Sequence, residues 1–344
     1  MKKQDVVNLV KYYIEKNDSG FRNQVAEIAN DFEMNGDIEL GSYLMDLIST
    51  TNFYTPQNNY RDLVFLKKND LSNKPIFLPD CIKNDIMGLI RSVDRNIHIS
   101  KVLLYGKPGS GKTESAYQIA RLLGRDLLSV RMEDLVDSRL GQTSKNIISM
   151  FDEIKHLYSE NVVILFDELD SLVMNRTDSH DLREMGRVTS SFLKELDSIS
   201  DNILIIATTN LINSFDKALL RRFDAKISFD RYTKEDLIDI SNSLLQIYIK
   251  KAETSKIDTR LFNKILNTTK TIPYPGDMKQ IIKVSLAFAD DSNEYDYLKR
   301  IYLELNSEKE LTISQLTSDG FSTREIEMLT GIPKSTVSRK RKGE

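Results

Sequence analysis

Residues 106–113 read Gly-Lys-Pro-Gly-Ser-Gly-Lys-Thr, the pattern G-x-x-x-x-G-K-T, and these residue types at this spacing suit the holding of a phosphate chain. Glycines let a backbone wrap an anion with its N–H groups turned inward. Gly106, Lys107, Pro108, Gly109, Ser110 and Gly111 form the cradle in this reading, with Glu114 just behind it. Lys112 supplies a point charge for the β- and γ-phosphates of ATP, and the Thr113 hydroxyl an oxygen for Mg2+. A helix running from Glu114 to Leu123 points the positive end of its dipole at the same anion.

Carboxylates follow at a telling place. Val162 to Phe166 is an apolar run ending in Asp167-Glu168-Leu169-Asp170. Acids at the carboxyl end of a parallel strand stand in the crevice where such sheets bind ligands. Asp167 is the candidate Mg2+ ligand, directly or through water, and Glu168 the general base for an attacking water. Ile203 to Thr208 leads in the same way to Thr209-Asn210. Asn210 either orients that water, hydrogen-bonds the γ-phosphate, or caps a turn. Arg221 and Arg222 stand together before a further strand. A guanidinium suits a phosphoryl group in transfer and, when supplied in trans, makes hydrolysis depend on a neighbouring subunit; the alternative is an ion pair with an acid.

The elements that must carry these residues alternate. Val102 to Tyr105, Leu127 to Val130, Val162 to Phe166, Ile203 to Thr208 and Ala225 to Phe229 read as strands, with helical periodicity over Lys145–Leu157 and Glu184–Leu196 between them. Strands apolar on both faces, with helices between, predict an α/β domain with a parallel sheet over residues 76–232. Residues 233–306 turn all-helical and read as a lid. Residues 1–50 predict a small N-terminal helical bundle, either a docking module or a packing extension of its neighbour. Residues 51–75 are poor in apolar residues and read as a linker, with a short structured patch near Leu63–Leu66.

Taken in order, G-K-P-G-S-G-K-T, V-V-I-L-F-D-E-L-D, I-I-A-T-T-N and A-L-L-R-R-F-D resemble the AAA clade of ring-forming ATPases over roughly residues 76–290. The resemblance implies a P-loop nucleotide-binding domain with a helical lid, and a homo-oligomeric ring, usually a hexamer, with ATP at subunit interfaces. It implies Walker B roles for Asp167 and Glu168, a first-sensor role for Asn210 and arginine-finger roles for Arg221 and Arg222. The stretches N-D-S-G-F-R-N-Q-V-A-E-I-A and H-D-L-R-E-M-G-R-V-T-S-S-F-L resemble a bacterial subgroup often encoded beside a subtilisin-like serine protease, which implies a protease partner in a defence or plasmid-maintenance pair. Two positions depart from the family. Ser138-Arg139-Leu140-Gly141-Gln142 matches the central-pore loop, with Arg139 where an aromatic grip stands. In the lid, Lys279 falls in the second-sensor slot where other clades use Arg; otherwise it is an exposed helix lysine.

Residues 307–344 end in a pattern similar to the helix-turn-helix of resolvases and small regulators. Ser322 caps a helix carrying Ile326 and Leu329, Gly331 makes the turn, and Val337 packs inside a second helix. Ser335, Thr336, Ser338 and Arg339 then face the phosphates or bases of double-stranded DNA. Glu327 stands where a small residue usually lets two such helices approach, so a helical hairpin docked on the ring or on a protein is the alternative.

Composition bounds the rest. The chain has 344 residues and a formal net charge of -3, so no global field draws it to nucleic acid or membrane. Cys81 is the only cysteine, so no intramolecular disulfide forms. MKKQDVV carries no long apolar run, and no stretch reaches the apolar length of a membrane span. The expectation is a cytoplasmic protein.

Overall fold

A computed structural model describes residues 3–14, 18–34, 40, 44, 60, 63–71, 76–95, 97, 99–135, 142–157, 161–171, 181–252, 257–290, 293–307 and 311–342. The chain divides into two compact units, Met1–Asp62 and Leu63–Glu344.

In the first unit, α1 (Lys3–Ile14) and α2 (Asp18–Met34) form a helix pair. Ile28 and Ala29 are buried on α2, and the Asn8 amide donates to Gln24 Oε1 at 3.0 Å. Of the remaining residues 35–50 expected in this bundle, all but Leu40 and Leu44 lie outside the described residues.

The second unit opens with β1 (Leu66–Asn69), α3 (Asp80–Asp94), β2 (Lys101–Tyr105), α4 (Lys112–Leu122) and β3 (Asp126–Val130). It continues through the single-turn α5 (Met132–Leu135), α6 (Gln142–Lys155), β4 (Val162–Phe166), α7 (Asp181–Ser198), β5 (Leu204–Thr209), α8 (Lys217–Leu220) and β6 (Ala225–Ser228). The six strands form one sheet in the order β1-β3-β4-β5-β2-β6. Every pairing is parallel except that of β1 with β3. Thus residues 66–69, expected inside a linker, instead hydrogen-bond to the sheet as an antiparallel edge strand. The reason is physical: Leu66 is buried, while Lys67 and Lys68 keep the outer edge charged, as a tolerated edge strand requires.

All five residues of β4 and all six of β5 are buried, because helices cover both faces. Phe166 closes β4 and is gripped edge-on by Phe192 of α7, with centroids 5.4 Å apart, and tilted against Phe151 of α6 at 5.8 Å. That grip holds the end of the strand from which Asp167 projects. Asp224 ties down β6: its Oδ2 accepts the N–H groups of Ser100 and Lys101, each at 2.9 Å.

The remainder is helical: α9 (Lys234–Ala252), α10 (Thr259–Thr268), α11 (Pro275–Ala287), α12 (Asp296–Asn306), α13 (Ile313–Ser318), α14 (Thr323–Thr330) and α15 (Lys334–Lys342). These helices share one core, in which Leu244, Phe262, Met278 and Ile301 are continuous with Leu316, Phe321, Ile326, Leu329 and Val337. Residues 311–342 therefore pack against the lid helices through these five side chains. Polar staples back the packing: Tyr302 donates its hydroxyl to Asp319, and Lys264 meets Glu325 at 2.6 Å. The Ser322–Glu325 capping box starts α14, and Gly331, left-handed at φ 71°, ends it. Glu327, expected to crowd the next helix, caps it instead: its Oε1 accepts the Lys334 N–H at 2.9 Å.

Candidate active site

The strand order sets the site. β5 lies between β4 and β2, so three neighbouring strands end in the acids, in Asn210 and in the loop of residues 106–111. Tyr105 is level with Thr209, and the Gly106 N–H donates to the Thr209 carbonyl at 3.3 Å. The loop needs left-handed backbone at Gly109 (φ 73°) and Gly111 (φ 96°), and a Cβ on Gly106 would stand 3.0 Å from Asp230 Oδ1 and 3.1 Å from Phe229. The loop is also buttressed from behind. Lys107 N–H donates to Asp230 Oδ1 at 2.8 Å, and the Tyr232 hydroxyl to the Ser110 carbonyl at 2.6 Å. Burial pushes the Tyr232 phenol well up, so it stays a donor.

Lys112 reaches back along its own loop. Its ammonium donates to the Gly106 and Lys107 carbonyls at 2.8 and 3.0 Å and to Asn210 Oδ1 at 2.8 Å. Burial holds its pKa below the usual lysine value, against the pull of Asp230, Asp167, Asp170 and Glu168. Thr113 donates its hydroxyl to Asp167 Oδ1 at 2.8 Å. Asn210 is held from its backbone as well, its N–H donating to Asp170 Oδ1 at 3.3 Å.

A cavity of about 350 Å3 opens over this floor. Its walls include Pro108, Gly109, Gly111, Lys112, Thr113 and Glu114, together with Glu168, Thr208 and Asn210. The lid supplies Leu244, Pro275, Gly276 and Lys279. Ile76, Phe77 and Leu78 make an apolar end. Lid and loop touch backbone to backbone: Gly276 N–H donates to the Gly109 carbonyl at 2.8 Å. Lys107 instead extends over the Tyr274 ring, 5.9 Å from its centroid. Ser110 is fully buried, its Oγ without a hydrogen-bond partner among the described residues.

These features fit a nucleotide and a magnesium ion. The cavity joins the glycine-rich loop and the Lys112 ammonium to the apolar side chains of Ile76, Phe77 and Leu78. Thr113 and Asp167 offer the hard oxygens that Mg2+ prefers alongside substrate phosphates.

Other candidates lie elsewhere. Arg222 donates from Nε to both carboxylate oxygens of Asp197 on α7, each at 3.0 Å. Arg221 is exposed and makes no ion pair among the described residues. Neither lines the cavity. Arg139 and its loop lie outside the described residues. Ser335 and Arg339 are exposed on α15, with Thr336 and Ser338 half-buried beside Val337. The sequence reading gave no role to Thr208, Asp170, Asp230, Tyr232 or Gly276. Of these, only Asp170 carried a signal, as the second acid of D-E-L-D.

Residues 102–231 match the model of the ATPase family associated with various cellular activities (AAA). An AAA family ATPase, y4kL, of Sinorhizobium fredii is 37% identical over 154 residues, 42% of this chain and 46% of that protein. The peroxisomal ATPase pex6 of Schizosaccharomyces pombe is 31% identical over 248 residues, 68% of this chain and 23% of that protein. The proteasome-activating nucleotidase of Thermococcus onnurineus is 31% identical over 222 residues, 61% of this chain and 53% of that protein. The chain thus spans about half the length of these relatives or less. The crystal structure of the FIGL-1 AAA domain in complex with ADP superposes with a TM-score of 0.50 at 19% identity, covering 80% of this chain and 94% of that one, a likeness of fold alone. The loop, the paired acids and the strand-tip Asn all fall inside the stretch that matches the AAA family model.

Proposed function

We propose that this chain hydrolyses ATP as one subunit of a homo-oligomeric ring, a hexamer in most of the family it resembles, and spends the cycle on switching or remodelling a partner protein. One observation carries the reading: the Thr113 hydroxyl and the Asp167 carboxylate meet at 2.8 Å, with Lys112, Glu168 and Asn210 around the same cavity. In this reading the loop N–H groups and Lys112 hold the triphosphate, and Ile76, Phe77 and Leu78 take the base. Thr113 and Asp167 would hold Mg2+, which would supply charge neutralisation at the triphosphate. Glu168 accepts the proton of the attacking water, Asn210 orients that water, and Lys279 reaches the phosphates from the lid. Arg221 and Arg222 serve the cavity of the neighbouring subunit. Some relatives are named as a peroxisomal ATPase and a proteasome-activating nucleotidase, which favours a protein as the object of the work. Within that class, the subgroup likeness points to a subtilisin-like serine protease as partner.

The test is Glu168→Gln in the full chain. ATP should bind with affinity within about threefold of wild type while turnover falls ~100-fold or more, the loss expected of a missing general base. Undiminished turnover would remove Glu168 from its role.

A second reading keeps the ATPase and adds double-stranded DNA as partner, in the control of recombination, transposition or replication. It is favoured by the exposure of Ser335, Arg339 and Lys340 on α15, beside the tight turn at Gly331. Arg339→Ala with Lys340→Ala should weaken a salt-dependent shift of labelled duplex. Absence of any shift at low salt for the wild-type chain rejects it.

A further inference from the structure

Thr208 is a threonine at the last but one position of β5, 1% exposed, and its contacts run to three consecutive residues of the neighbouring strand end. The ladder pairs Phe166 with Ala207, so Thr208 stands level with Asp167 just past the last paired position. Its hydroxyl donates to Asp167 Oδ1 at 2.6 Å and accepts the Glu168 N–H at 2.9 Å. Its carbonyl accepts the Leu169 N–H at 2.9 Å.

The middle contact matters most. Glu168 has φ 52°, one of two described non-glycine residues with positive φ. A side chain in left-handed backbone is disfavoured, and persists only where its surroundings over-determine it. The Thr208 hydroxyl supplies that constraint, because it binds the Glu168 amide and the Asp167 carboxylate at once. A single hydroxyl can donate and accept together, whereas a methyl in its place does neither. Asp167 Oδ1 also receives Thr113 at 2.8 Å. Thr113 belongs to α4 and Thr208 to the sheet, so the sheet keeps the carboxylate oriented whether or not α4 donates.

We infer that Thr208 is a positioning residue for the acid pair, one hydroxyl that sets the direction of the Asp167 carboxylate and the backbone turn presenting Glu168 to the cavity. This rests on the reading of Glu168 as the base. Thr208 lines the cavity, but its hydroxyl is engaged by Asp167 and by the Glu168 N–H, so it acts through the two acids.

The test compares Thr208→Val, which keeps shape and loses the hydroxyl, with Thr208→Ser, which keeps the hydroxyl, in the full chain. Thr208→Ala replaces the valine variant if that fails to fold. Steady-state hydrolysis gives kcat and KM, and anisotropy of a fluorescent ADP analogue gives its affinity with and without Mg2+. The valine variant should lose about 10- to 100-fold in kcat, the scale of a hydrogen bond to a charged group, with KM within about threefold. Its affinity for the analogue without Mg2+ should be unchanged, and the gain in affinity on adding Mg2+ should shrink. The serine variant should recover to within about threefold of wild type, since its hydroxyl makes the same bonds.

Valine turnover within about twofold of wild type overturns the inference, as does a serine variant as impaired as the valine one. So does a Mg2+-free affinity that falls in step with kcat, because the pocket itself is then damaged. Glu168→Gln separates the two claims. If it loses turnover while Thr208→Val keeps it, only the positioning role fails; if it keeps turnover, the assignment of the base fails first.

Discussion

The Lys112 ammonium lies 2.8 Å from Asn210 Oδ1, so the cation of the phosphate loop and the polar tip of the neighbouring strand share one hydrogen bond. The other contacts of that ammonium are backbone carbonyls of the same loop. A phosphate oxygen drawing on Lys112 therefore competes with acceptors already in place, and Asn210 is the one that can turn away. Asn210→Ala should leave ATP affinity within about threefold, while kcat falls about 10- to 100-fold through loss of the oriented water. Equilibrium binding alongside steady-state turnover checks this, and equal losses in both would make Asn210 a binding group instead.

Arg222 and Arg221 differ in tethering, since Asp197 holds Arg222 through Nε from both its oxygens while Arg221 is exposed. If each acts on a neighbour's nucleotide, Arg221→Ala and Arg222→Ala should each cut kcat ~100-fold or more with binding intact. Mixing Arg222→Ala subunits with Lys112→Ala subunits should restore measurable turnover, because some interfaces then pair an intact loop with an intact arginine. No recovery on mixing would argue against action in trans. Asp197→Asn should weaken the tether at an exposed site, where such a pair contributes ~1 kcal/mol or less to stability.

Gly276 packs its backbone directly against the loop: a Cβ there would stand 2.8 Å from Gly109 Cα and 3.0 Å from its carbonyl oxygen. Both neighbours are backbone, so neither yields cheaply. Gly276→Ala should push α11 off the loop and weaken ADP-analogue affinity ~10-fold, with ~1–3 kcal/mol lost from stability. Unchanged affinity would show that the lid's approach to Gly109 does not matter for nucleotide.

Glu325 joins α14 to α10 through Lys264. Burial pushes the Glu325 carboxyl up, but the Lys264 ammonium and the Ser322 N–H outweigh it, holding its pKa below the ordinary 4.5. For a carboxyl depressed in the folded state, the stabilisation is complete above the unfolded value and disappears as pH falls through the folded one. Glu325→Gln keeps a capping side chain and loses the charge. It should be less stable than wild type by ~1 kcal/mol near neutral pH, the two melting curves starting to converge only once pH falls below the ordinary 4.5. A gap that never narrows as pH falls would assign the loss to shape.

Much of this site was legible because its parts are local. A loop that wraps phosphate needs glycines within a few residues, and Gly109 and Gly111 do adopt left-handed backbone there. An apolar strand ending in acids declares its own carboxyl end, so Asp167, Glu168 and Asn210 could be read one strand at a time. The helix punctuation at Ser322 and Gly331 was equally local. What the sequence alone determined was this set of groups and the strand ends that carry them.

Only the tertiary structure decided who meets whom. That β5 lies between β2 and β4 depends on which faces the crossover helices bury, and no single strand encodes it; yet this order gives Lys112 its partner and puts Thr208 beside the acids. The edge strand at Leu66–Asn69 was hidden by its lysines, since charge on an edge reads as linker until the neighbouring strand is known. The last helices read as a tail because each is short, and they join the lid because Phe321, Leu329 and Val337 bury their apolar surface in its core. Local backbone chemistry is written in a few adjacent residues, whereas burial is settled by the whole chain at once.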